Sequence, residues 1–272
     1  MAPPSIAVTL GDPRGIGAEV ASAAAFQLHR KDPHARLFFL GCPDQLDGLE
    51  LPDSVRPQEV RGWDGTEAGA GHVSIEALRA AASLALQGEV GAVVTGPVHK
   101  PALHAAGWEA PGQTEMLQEL TGAPTVGMLM CAERTRLDSP LRVLLATTHL
   151  PLRDVPFRVT EELLVGQATL LDGALRTRWE MDRPRLALCA LNPHASDRGL
   201  FGDEEERVFR PAVDRLREDG VDVVGPLPAD TVFTRALSDE FDAVVAPYHD
   251  VGMAAFKTVS FGTGVNVTLG LP

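Results

Sequence analysis

Three histidines each follow an apolar run of the kind that forms a buried β-strand. His149 follows LLATT, His194 ends LALCALNPH, and His249 follows AVVAPY. In open α/β sheets functional side chains collect at the carboxyl ends of strands, so these runs can bring three imidazoles to one crevice. Three neutral imidazoles hold a divalent transition metal and leave positions open for substrate. The pattern therefore predicts a metal site, at which the neighbouring Asp250 is a ligand or orients His249.

The bland alternative is that each histidine is an ordinary hydrogen-bonded loop residue. Separations of 45 residues (149 to 194) and 55 residues (194 to 249) match no local zinc motif. The shared context at three strand ends, rather than the spacing, is what favours the metal site.

Several loops have the residues to hold an anion. GDPRGIG (Gly11–Gly17) lies between a predicted strand and a helix, PGQTE (Pro111–Glu115) precedes a helix, and TGPVHK places Lys100 near a strand end. Backbone N–H groups and the helix dipole favour an anion at such places. Lys257 follows His249 by eight residues in a predicted loop. The alternatives are glycine turn chemistry, a solvated lysine, and Thr114 acting as a simple helix cap.

The fold that positions these side chains is predicted to be α/β, because short apolar runs alternate with helical segments. The predicted strands are Ser5–Leu10, Arg36–Leu40, Ala92–Thr95, Thr125–Met130, Leu141–Thr147, Arg185–Leu191, Val221–Val224, Asp242–Ala246 and Val265–Leu269. The predicted helices are Ala18–Arg30, one capped by Ser74 and running to Leu86, Thr114–Leu120, Glu161–Arg176 and Asp203–Asp219. Residues 43–71 are predicted to be loop with short elements. A change in element spacing predicts two domains, residues 1–130 and 131–272.

Composition narrows the possible partners and the compartment. The 272 residues carry 37 acidic and 24 basic side chains, a formal charge of −13, which disfavours nucleic acid and anionic membranes as partners. Three cysteines without a CxxC pair indicate buried free thiols in a reducing compartment. The segment MAPPSIAVTL lacks the regions of a secretory signal, and no apolar stretch approaches the ~20 residues that span a bilayer. We expect a cytoplasmic protein.

Eight motifs carry a resemblance to a known family. They are IAVTLGDPRGIGAEV, VVTGPVHK, GQTEMLQELTG, LATTHLPLRDV, LNPHASDRGLFGDEE, GPLPADTVF, YHDVGMAAFK and GVNVTLGLP. In this order and spacing the chain resembles the 4-hydroxythreonine-4-phosphate dehydrogenase family over essentially its whole length. The resemblance implies a two-domain, three-layer α/β/α subunit like that of isocitrate and isopropylmalate dehydrogenases, without a Rossmann G-x-G-x-x-G. It also implies a homodimer with the active site in the cleft between domains.

The resemblance implies roles for individual residues and a reaction. His149, His194 and His249 would ligate a divalent metal (zinc, magnesium or cobalt), the third of them reaching the site from the neighbouring subunit. Substrate contacts would come from Gln113, Thr114, Lys257 and Asn266, and proton handling from Lys257 or Asp250. The family oxidises 4-phosphohydroxy-L-threonine with NAD or NADP, and the β-keto acid then loses CO₂ to give 3-amino-2-oxopropyl phosphate. This step belongs to pyridoxal phosphate (vitamin B6) biosynthesis. The residues of the cofactor site are not assigned.

Two departures from the family pattern keep other functions open. The family motif GHTE reads GQTE here, and Gln113 cannot become cationic, so the substrate could be another phosphorylated hydroxy acid or a dihydrodiol. The family also continues for some dozens of residues past GVNVTLGLP, where an arginine contacts substrate and a loop would hold the adenosine end of NAD. A metal-binding relative without catalysis is therefore an alternative. A third is a metal-dependent hydrolase or lyase built on the three histidines alone.

Overall fold

The chain forms two compact units that meet in sequence between Ala123 and Pro124. A computed structural model describes residues 3–109 and 112–272. The sequence-based division was placed later, after residue 130. The structural division comes earlier because the strand Gly127–Ala132 pairs with two strands of the second unit.

The first unit is built on a four-stranded parallel sheet in the order β3-β2-β1-β4. Its strands are β1 (Ser5–Thr9), β2 (Arg36–Gly41), β3 (Val55–Glu59) and β4 (Ala92–Thr95). Its helices are α1 (Gly17–Lys31), α2 (Pro43–Leu46), α3 (Glu67–Leu86), α4 (Lys100–Ala105) and α5 (Gln113–Thr121). Alternate residues of β2 enter different cores: Leu40 packs with residues of α3, and Phe39 packs with residues of α1. Helices thus cover both faces of the sheet.

The N-cap of helix α3 lies eight residues before the predicted Ser74 cap. The true cap is Thr66, whose Oγ1 accepts a hydrogen bond from the Gly69 N–H at 3.0 Å. Ser74 lies inside the helix and donates to the carbonyl of Ala70. Glycines in this segment suggested a loop, but they serve packing: a Cβ on Gly71 would lie 2.0 Å from the carbonyl oxygen of Ala102 in α4. The prediction failed because close helix–helix approach outweighed low helix propensity.

The second unit contains a six-stranded mixed sheet in the order β10-β5-β6-β9-β7-β8. Its strands are β5 (Gly127–Ala132), β6 (Leu141–Leu145), β7 (Leu186–Cys189), β8 (Val223–Leu227), β9 (Ala243–Ala246) and β10 (Val265–Leu269). Its helices are α6 (Val155–Arg158), α7 (Glu161–Arg178), α8 (Arg210–Glu218), α9 (Ala229–Leu237) and α10 (His249–Ser260). Short 3₁₀ turns occupy Leu152–Asp154 and Pro193–Asp197, and a π-helical turn, Glu205–Phe209, leads into α8.

The two faces of this second sheet pack against different helices. Leu144 and Val245 belong to one buried cluster together with residues of α7 and α8. Their chain neighbours Val143 and Val244 belong to a second cluster with residues of α9 and α10. The six-stranded sheet is therefore the middle of three layers, and its strands read as nearly continuous apolar runs because both faces are buried.

Several helices lie where no element was predicted, among them α4, α6, α9 and α10. Because α10 was not predicted, Lys257 was expected in a loop; it lies on α10. The predicted buried thiols are confirmed, since Cys42, Cys131 and Cys189 are free and buried. No helix in the described ranges is long and apolar enough to cross a membrane.

Candidate functional site

The histidine loops after β6 and β9 meet because these two strands are parallel neighbours. Leu145 pairs with Ala246, and the Thr147 hydroxyl after β6 donates to the Pro247 carbonyl after β9 at 2.8 Å. The ring centroids of His149 and His249 consequently lie 5.4 Å apart, with an interplanar angle of 42°. Two residues about a hundred positions apart in sequence thus share one location at the carboxyl edge of the sheet.

Within one chain the ring of His249 lies beside that of His149. The reason is topological, since β9 inserts between β6 and β7 in the sheet and carries His249 next to the β6 loop. His194 follows β7, on the far side of β9.

His249 is the first residue of α10 and contacts the carboxylate that follows it. Its Nδ1 atom lies 2.7 Å from Oδ1 of Asp250. An Nδ1–H donated to a carboxylate fixes the tautomer and leaves the Nε2 lone pair available as a ligand. Asp250 is itself 85% exposed, so its carboxylate stays solvated while it orients the ring. Of the two roles predicted for Asp250, the contact supports orientation.

A pocket of about 220 Å³ surrounds this histidine pair. Its lining includes Thr148, Leu152 and Val155 from the β6 side and Tyr248 from the β9 side. Burial raises the pKa of the Tyr248 phenol, so this hydroxyl stays protonated at neutral pH. Leu152 is 64% exposed, which leaves an apolar side chain at the rim. The pocket thus combines two imidazoles with the neutral hydroxyls of Thr148 and Tyr248, the Asp250 carboxylate and apolar side chains.

His194 lies in an unusual backbone segment, the left-handed turn of residues 194–198. All five residues have φ between +43° and +68°, and none of them is glycine. Non-glycine residues pay about 1–2 kcal/mol each for this conformation. The imidazole of His194 faces Phe201, with ring centroids 6.5 Å apart. Such a turn persists only where surrounding contacts hold it.

Glu205 supplies those contacts from the fully buried start of the π-helical turn. Its carboxylate accepts hydrogen bonds from the N–H groups of Leu191 and Asn192 at 2.9 and 2.7 Å. It also accepts from the Asn192 side-chain amide at 2.9 Å and from the Ser196 hydroxyl. Burial by itself raises the pKa of Glu205, but these donors outweigh it and hold the pKa below its ordinary value. Glu205 is therefore an ionised group at the base of the His194 turn.

The donor set fits a divalent metal in part within one chain. Two imidazoles bound to one ion at about 2.0–2.1 Å have ring centroids separated by a distance close to the 5.4 Å seen for His149 and His249. Nitrogen donors of this kind suit zinc or cobalt better than magnesium. Among the described residues, however, no three His, Cys, Asp or Glu side chains converge on one point. Among the described residues, the imidazole rings that lie together are those of His149 and His249.

Two further predicted site residues lie in the second unit. Lys257 is exposed on the last turn of α10, about 12 Å along the helix axis from His249 at 1.5 Å per residue. Asn266 lies exposed on the edge strand β10, where it pairs with Met130. The structure places neither among the pocket-lining residues.

The other predicted substrate contacts lie in the first unit, at the start of α5. Gln113 is the first helical residue, and its side-chain amide donates to the Gly96 carbonyl of the TGPVHK motif at 3.2 Å. Thr114 follows in the first turn of this helix. Pro111 of the PGQTE motif lies outside the described residues. The GQTE and TGPVHK motifs are thus in direct contact, and Lys100 begins α4 with its side chain exposed.

The GDPRGIG turn contacts the same TGPVHK motif but is not an open anion cradle. A Cβ on Gly11, which has φ +74°, would lie 2.1 Å from the Pro97 carbonyl oxygen. Buried Asp12 accepts from the Arg14 backbone N–H and guanidinium at 2.8–3.0 Å, and these bonds hold the pKa of Asp12 below its usual range. A buried carboxylate therefore occupies the turn, a feature that the glycine pattern gave no reason to expect.

Comparisons with known proteins cover nearly the whole chain. The family model described as pyridoxal phosphate biosynthetic protein PdxA matches residues 9–272. A 4-hydroxythreonine-4-phosphate dehydrogenase of Thioalkalivibrio sulfidiphilus is 39% identical, over 99% of this chain and 86% of that protein. The crystal structure of such an enzyme from Klebsiella pneumoniae has a TM-score of 0.86 at 34% identity, covering 99% of this chain and 88% of that one.

A structure with a different printed activity is also similar. It is a terephthalate 1,2-cis-dihydrodiol dehydrogenase from Burkholderia xenovorans, with a TM-score of 0.71 at 26% identity, covering 98% of this chain and 86% of that one. Together these likenesses confirm the predicted fold class, an α/β fold like that of isocitrate and isopropylmalate dehydrogenases.

Proposed function

Because the chain belongs to the PdxA family of pyridoxal phosphate biosynthetic proteins, we propose that it is a metal-dependent 4-hydroxythreonine-4-phosphate dehydrogenase that uses NAD or NADP. The secondary alcohol of 4-phosphohydroxy-L-threonine is oxidised, and loss of CO₂ gives 3-amino-2-oxopropyl phosphate. The observation that carries the proposal is the His149–His249 pair at the carboxyl edge of the six-stranded sheet, 5.4 Å between ring centroids.

His149, His194 and His249 are the proposed metal ligands. A divalent ion held there would supply Lewis-acid polarisation of the substrate oxygen, and a bound nicotinamide would supply the hydride acceptor. Asp250 holds Nδ1 of His249 and so presents Nε2 of that ring. Apolar side chains such as Leu152 and Val155 limit water around the imidazoles. The chain's own contribution is thus a fixed pair of nitrogen donors in a partly apolar pocket.

The remaining residues are proposed to anchor the substrate and handle its proton. Asp250 is engaged with His249, so we assign proton transfer to Lys257, whose exposed ammonium also suits an anionic substrate. Thr114 and Asn266 are proposed to donate hydrogen bonds to substrate oxygens, as their hydroxyl and amide groups allow. Gln113 keeps one amide hydrogen for the same use after its bond to Gly96.

A homodimer with a shared metal site is part of the proposal. Within the described part of one chain only two of the three histidines come together, so a complete three-imidazole centre calls for a second copy. Exposed apolar side chains that follow two of the histidines in sequence support an interface; they include Phe157, which is 83% exposed, and Leu200, which is 71% exposed. Aromatic and aliphatic groups exposed to this extent mark interaction surfaces when they cluster.

We also propose that the chain works in the cytoplasm. Cys42, Cys131 and Cys189 are buried and unpaired, and burial raises the pKa of the Cys189 thiol to about 12. Thiols that stay protonated and sheltered fit a reducing compartment and need no disulfide partner.

A second substrate class is favoured by Gln113. The amide of this residue is tied to the Gly96 carbonyl, and it carries no positive charge for a phosphate. The similar dihydrodiol dehydrogenase makes a dihydrodiol of an aromatic acid the alternative substrate. Direct competition between the two substrate classes in one assay separates these candidates.

The decisive experiment measures reduced-nicotinamide absorbance with 4-phosphohydroxy-L-threonine, NAD or NADP, and added Zn²⁺, Co²⁺ or Mg²⁺. We expect turnover that chelator abolishes and metal restores, and we expect His149→Ala to remove both turnover and bound metal. His34→Ala, at an exposed position after α1, is the matched control and should change neither. Failure to reduce either nucleotide under all three metals would contradict the proposed function.

A further inference from the structure

We propose that Glu205 is a positioning residue: its buried carboxylate holds the left-handed turn of residues 194–198 and thereby fixes the imidazole of His194 for metal binding. The inference rests on the proposed role of His194 as a ligand. It assigns a function to a side chain that touches neither the histidine ring nor the pocket, and whose place in the sequence suggests only an acidic residue at a helix start.

The carboxylate binds the segment on both sides of His194. Before the histidine it accepts from the Leu191 N–H, the Asn192 N–H and the Asn192 side-chain amide. After the histidine it accepts from the Ser196 hydroxyl. A two-oxygen group that binds residues two before and two after the same side chain constrains the backbone between them. The turn is therefore closed around Glu205 rather than around the histidine itself.

The core in turn fixes Glu205. It begins the π-helical turn Glu205–Phe209, in which Val208 is 6% exposed and Phe209 is fully buried within the cluster that contains α7 and α8. This packing leaves the Glu205 carboxylate little freedom to follow a moving loop. A continuous connection thus runs from the core, through a charged hydrogen-bond acceptor, to the turn that carries His194.

The turn needs stabilising contacts from outside, because the sequence of residues 194–198 does not favour the left-handed conformation. Residues 194–198 contain no glycine, although all of them adopt positive φ. L-residues released from the hold would return to the right-handed or extended regions, and the imidazole would move with the backbone. A second carboxylate reinforces the arrangement, since Glu204 accepts from the other hydrogen of the Asn192 amide at 2.7 Å.

The test compares Glu205→Gln with Glu206→Gln in the full chain. Both changes replace one carboxylate by an amide at adjacent positions, but Glu206 is exposed and pairs with Arg210 at 2.6 Å. Co²⁺ and Zn²⁺ affinities are measured by calorimetry on metal-free protein well below its melting temperature, and the visible spectrum of the Co²⁺ form is recorded. We expect Glu205→Gln to weaken binding about 10- to 100-fold and to change the Co²⁺ spectrum. Glu206→Gln should change neither.

A purely structural role predicts a different result. Glu205→Gln would then lower the melting temperature while the folded protein kept its metal affinity and Co²⁺ spectrum, and that outcome would overturn the proposal. If Glu205→Gln does not fold, Ser196→Ala removes a single donor to the carboxylate and leaves the others. We expect Ser196→Ala to weaken metal binding several-fold; unchanged affinity in this variant also overturns the proposal.

A rescue experiment isolates the backbone. Ala195 has φ +54°, a conformation that glycine adopts without the Cβ penalty. Ala195→Gly added to Ser196→Ala should recover most of the lost metal affinity, whereas no recovery would argue against control through turn geometry.

The variant His149→Ala separates this inference from the proposed function. Unchanged metal affinity in His149→Ala would refute the metal centre itself. Loss of metal affinity in His149→Ala, together with normal metal affinity in Glu205→Gln, would refute only the role of Glu205.

Discussion

The Nδ1 atom of His249 lies 2.7 Å from Oδ1 of Asp250, the next residue in the chain. This contact selects the tautomer that leaves Nε2 as the ligand atom. We therefore predict that Asp250→Asn, which keeps the shape but removes the charge, weakens metal binding about 10- to 100-fold. Calorimetric titration of metal-free protein with Zn²⁺ measures the effect.

The matched control for that change is Asp214→Asn on helix α8. Asp214 is also exposed and helical but lies outside the pocket, so its replacement should leave the Zn²⁺ affinity unchanged. Equal affinities for Asp250→Asn and wild type would mean that the carboxylate does not tune the histidine.

Mixing two inactive variants tests whether the metal centre is shared between subunits. His194 and His249 do not converge with a third ligand in the described part of one chain, so we place them in one centre from different copies. His194→Ala and His249→Ala should each be inactive alone. After co-refolding, half of the random dimers carry one intact site of two, so about a quarter of wild-type activity should return. No recovery, with mixed dimers shown by native mass spectrometry, would place both histidines in the same chain's centre.

The amide of Gln113 predicts a substrate preference. Its Nε2 donates to the Gly96 carbonyl, and it cannot carry the positive charge of the family's histidine. We expect Gln113→His to raise kcat/KM for 4-phosphohydroxy-L-threonine about tenfold, the order of one added charge-assisted hydrogen bond. The comparison substrate is the same compound without phosphate, for which kcat/KM should hardly change. An equal change in kcat/KM with both substrates would show that the side chain at position 113 does not bind the phosphate.

Acid stability should depend on Asp242, which links the start of β9 to Arg185. Its carboxylate accepts from the Arg185 N–H at 2.7 Å and from the guanidinium at 3.0–3.1 Å. Burial alone raises the pKa of Asp242, but the Arg185 bonds outweigh it and hold the pKa below its ordinary value. A carboxyl with a lowered pKa contributes stability that is complete above its ordinary pKa and is lost as pH falls through the folded value.

We accordingly predict that Asp242→Asn lowers the Tm near neutral pH by about 2–4 °C, the shift for about 1 kcal/mol in a unit of this size. The difference in Tm from wild type should shrink as pH falls below the ordinary pKa of an aspartate and through the lowered pKa of Asp242. Asp239→Asn serves as control, because Asp239 binds the same arginine but is 90% exposed. A Tm difference that stays constant down the pH series would exclude the ion pair as its source.

The sequence was most informative where local pattern and final structure coincide. Apolar runs such as Leu141–Thr147 and Asp242–Ala246 identified β6 and β9, and the strand-end rule located His149 and His249 correctly at one edge. Pattern could not show that β9 inserts between β6 and β7, because strand order is set by packing between distant segments. It could therefore not show which two histidines become neighbours.

The elements that the sequence did not predict share one cause: tertiary contacts outweigh the local conformational preference of the residues. Helix α10 contains Gly252, a residue of low helix propensity; a Cβ there would lie 2.5 Å from the Leu145 side chain, so glycine lets the helix pack on β6. The left-handed turn at His194 has no local signal at all, since its conformation depends on Glu205 in the next element.

The parallel pairing of β6 with β9 also governs when the histidine pair can form. Leu145 and Ala246 meet only after the intervening chain, with α7, β7, α8, β8 and α9, has been brought back to the sheet. Closing so long a stretch is slow, because the chain loses conformational entropy before the stabilising contacts between β6 and β9 form. Partly folded chains would therefore lack the metal-binding pair, and a metal ion would stabilise only the finished sheet.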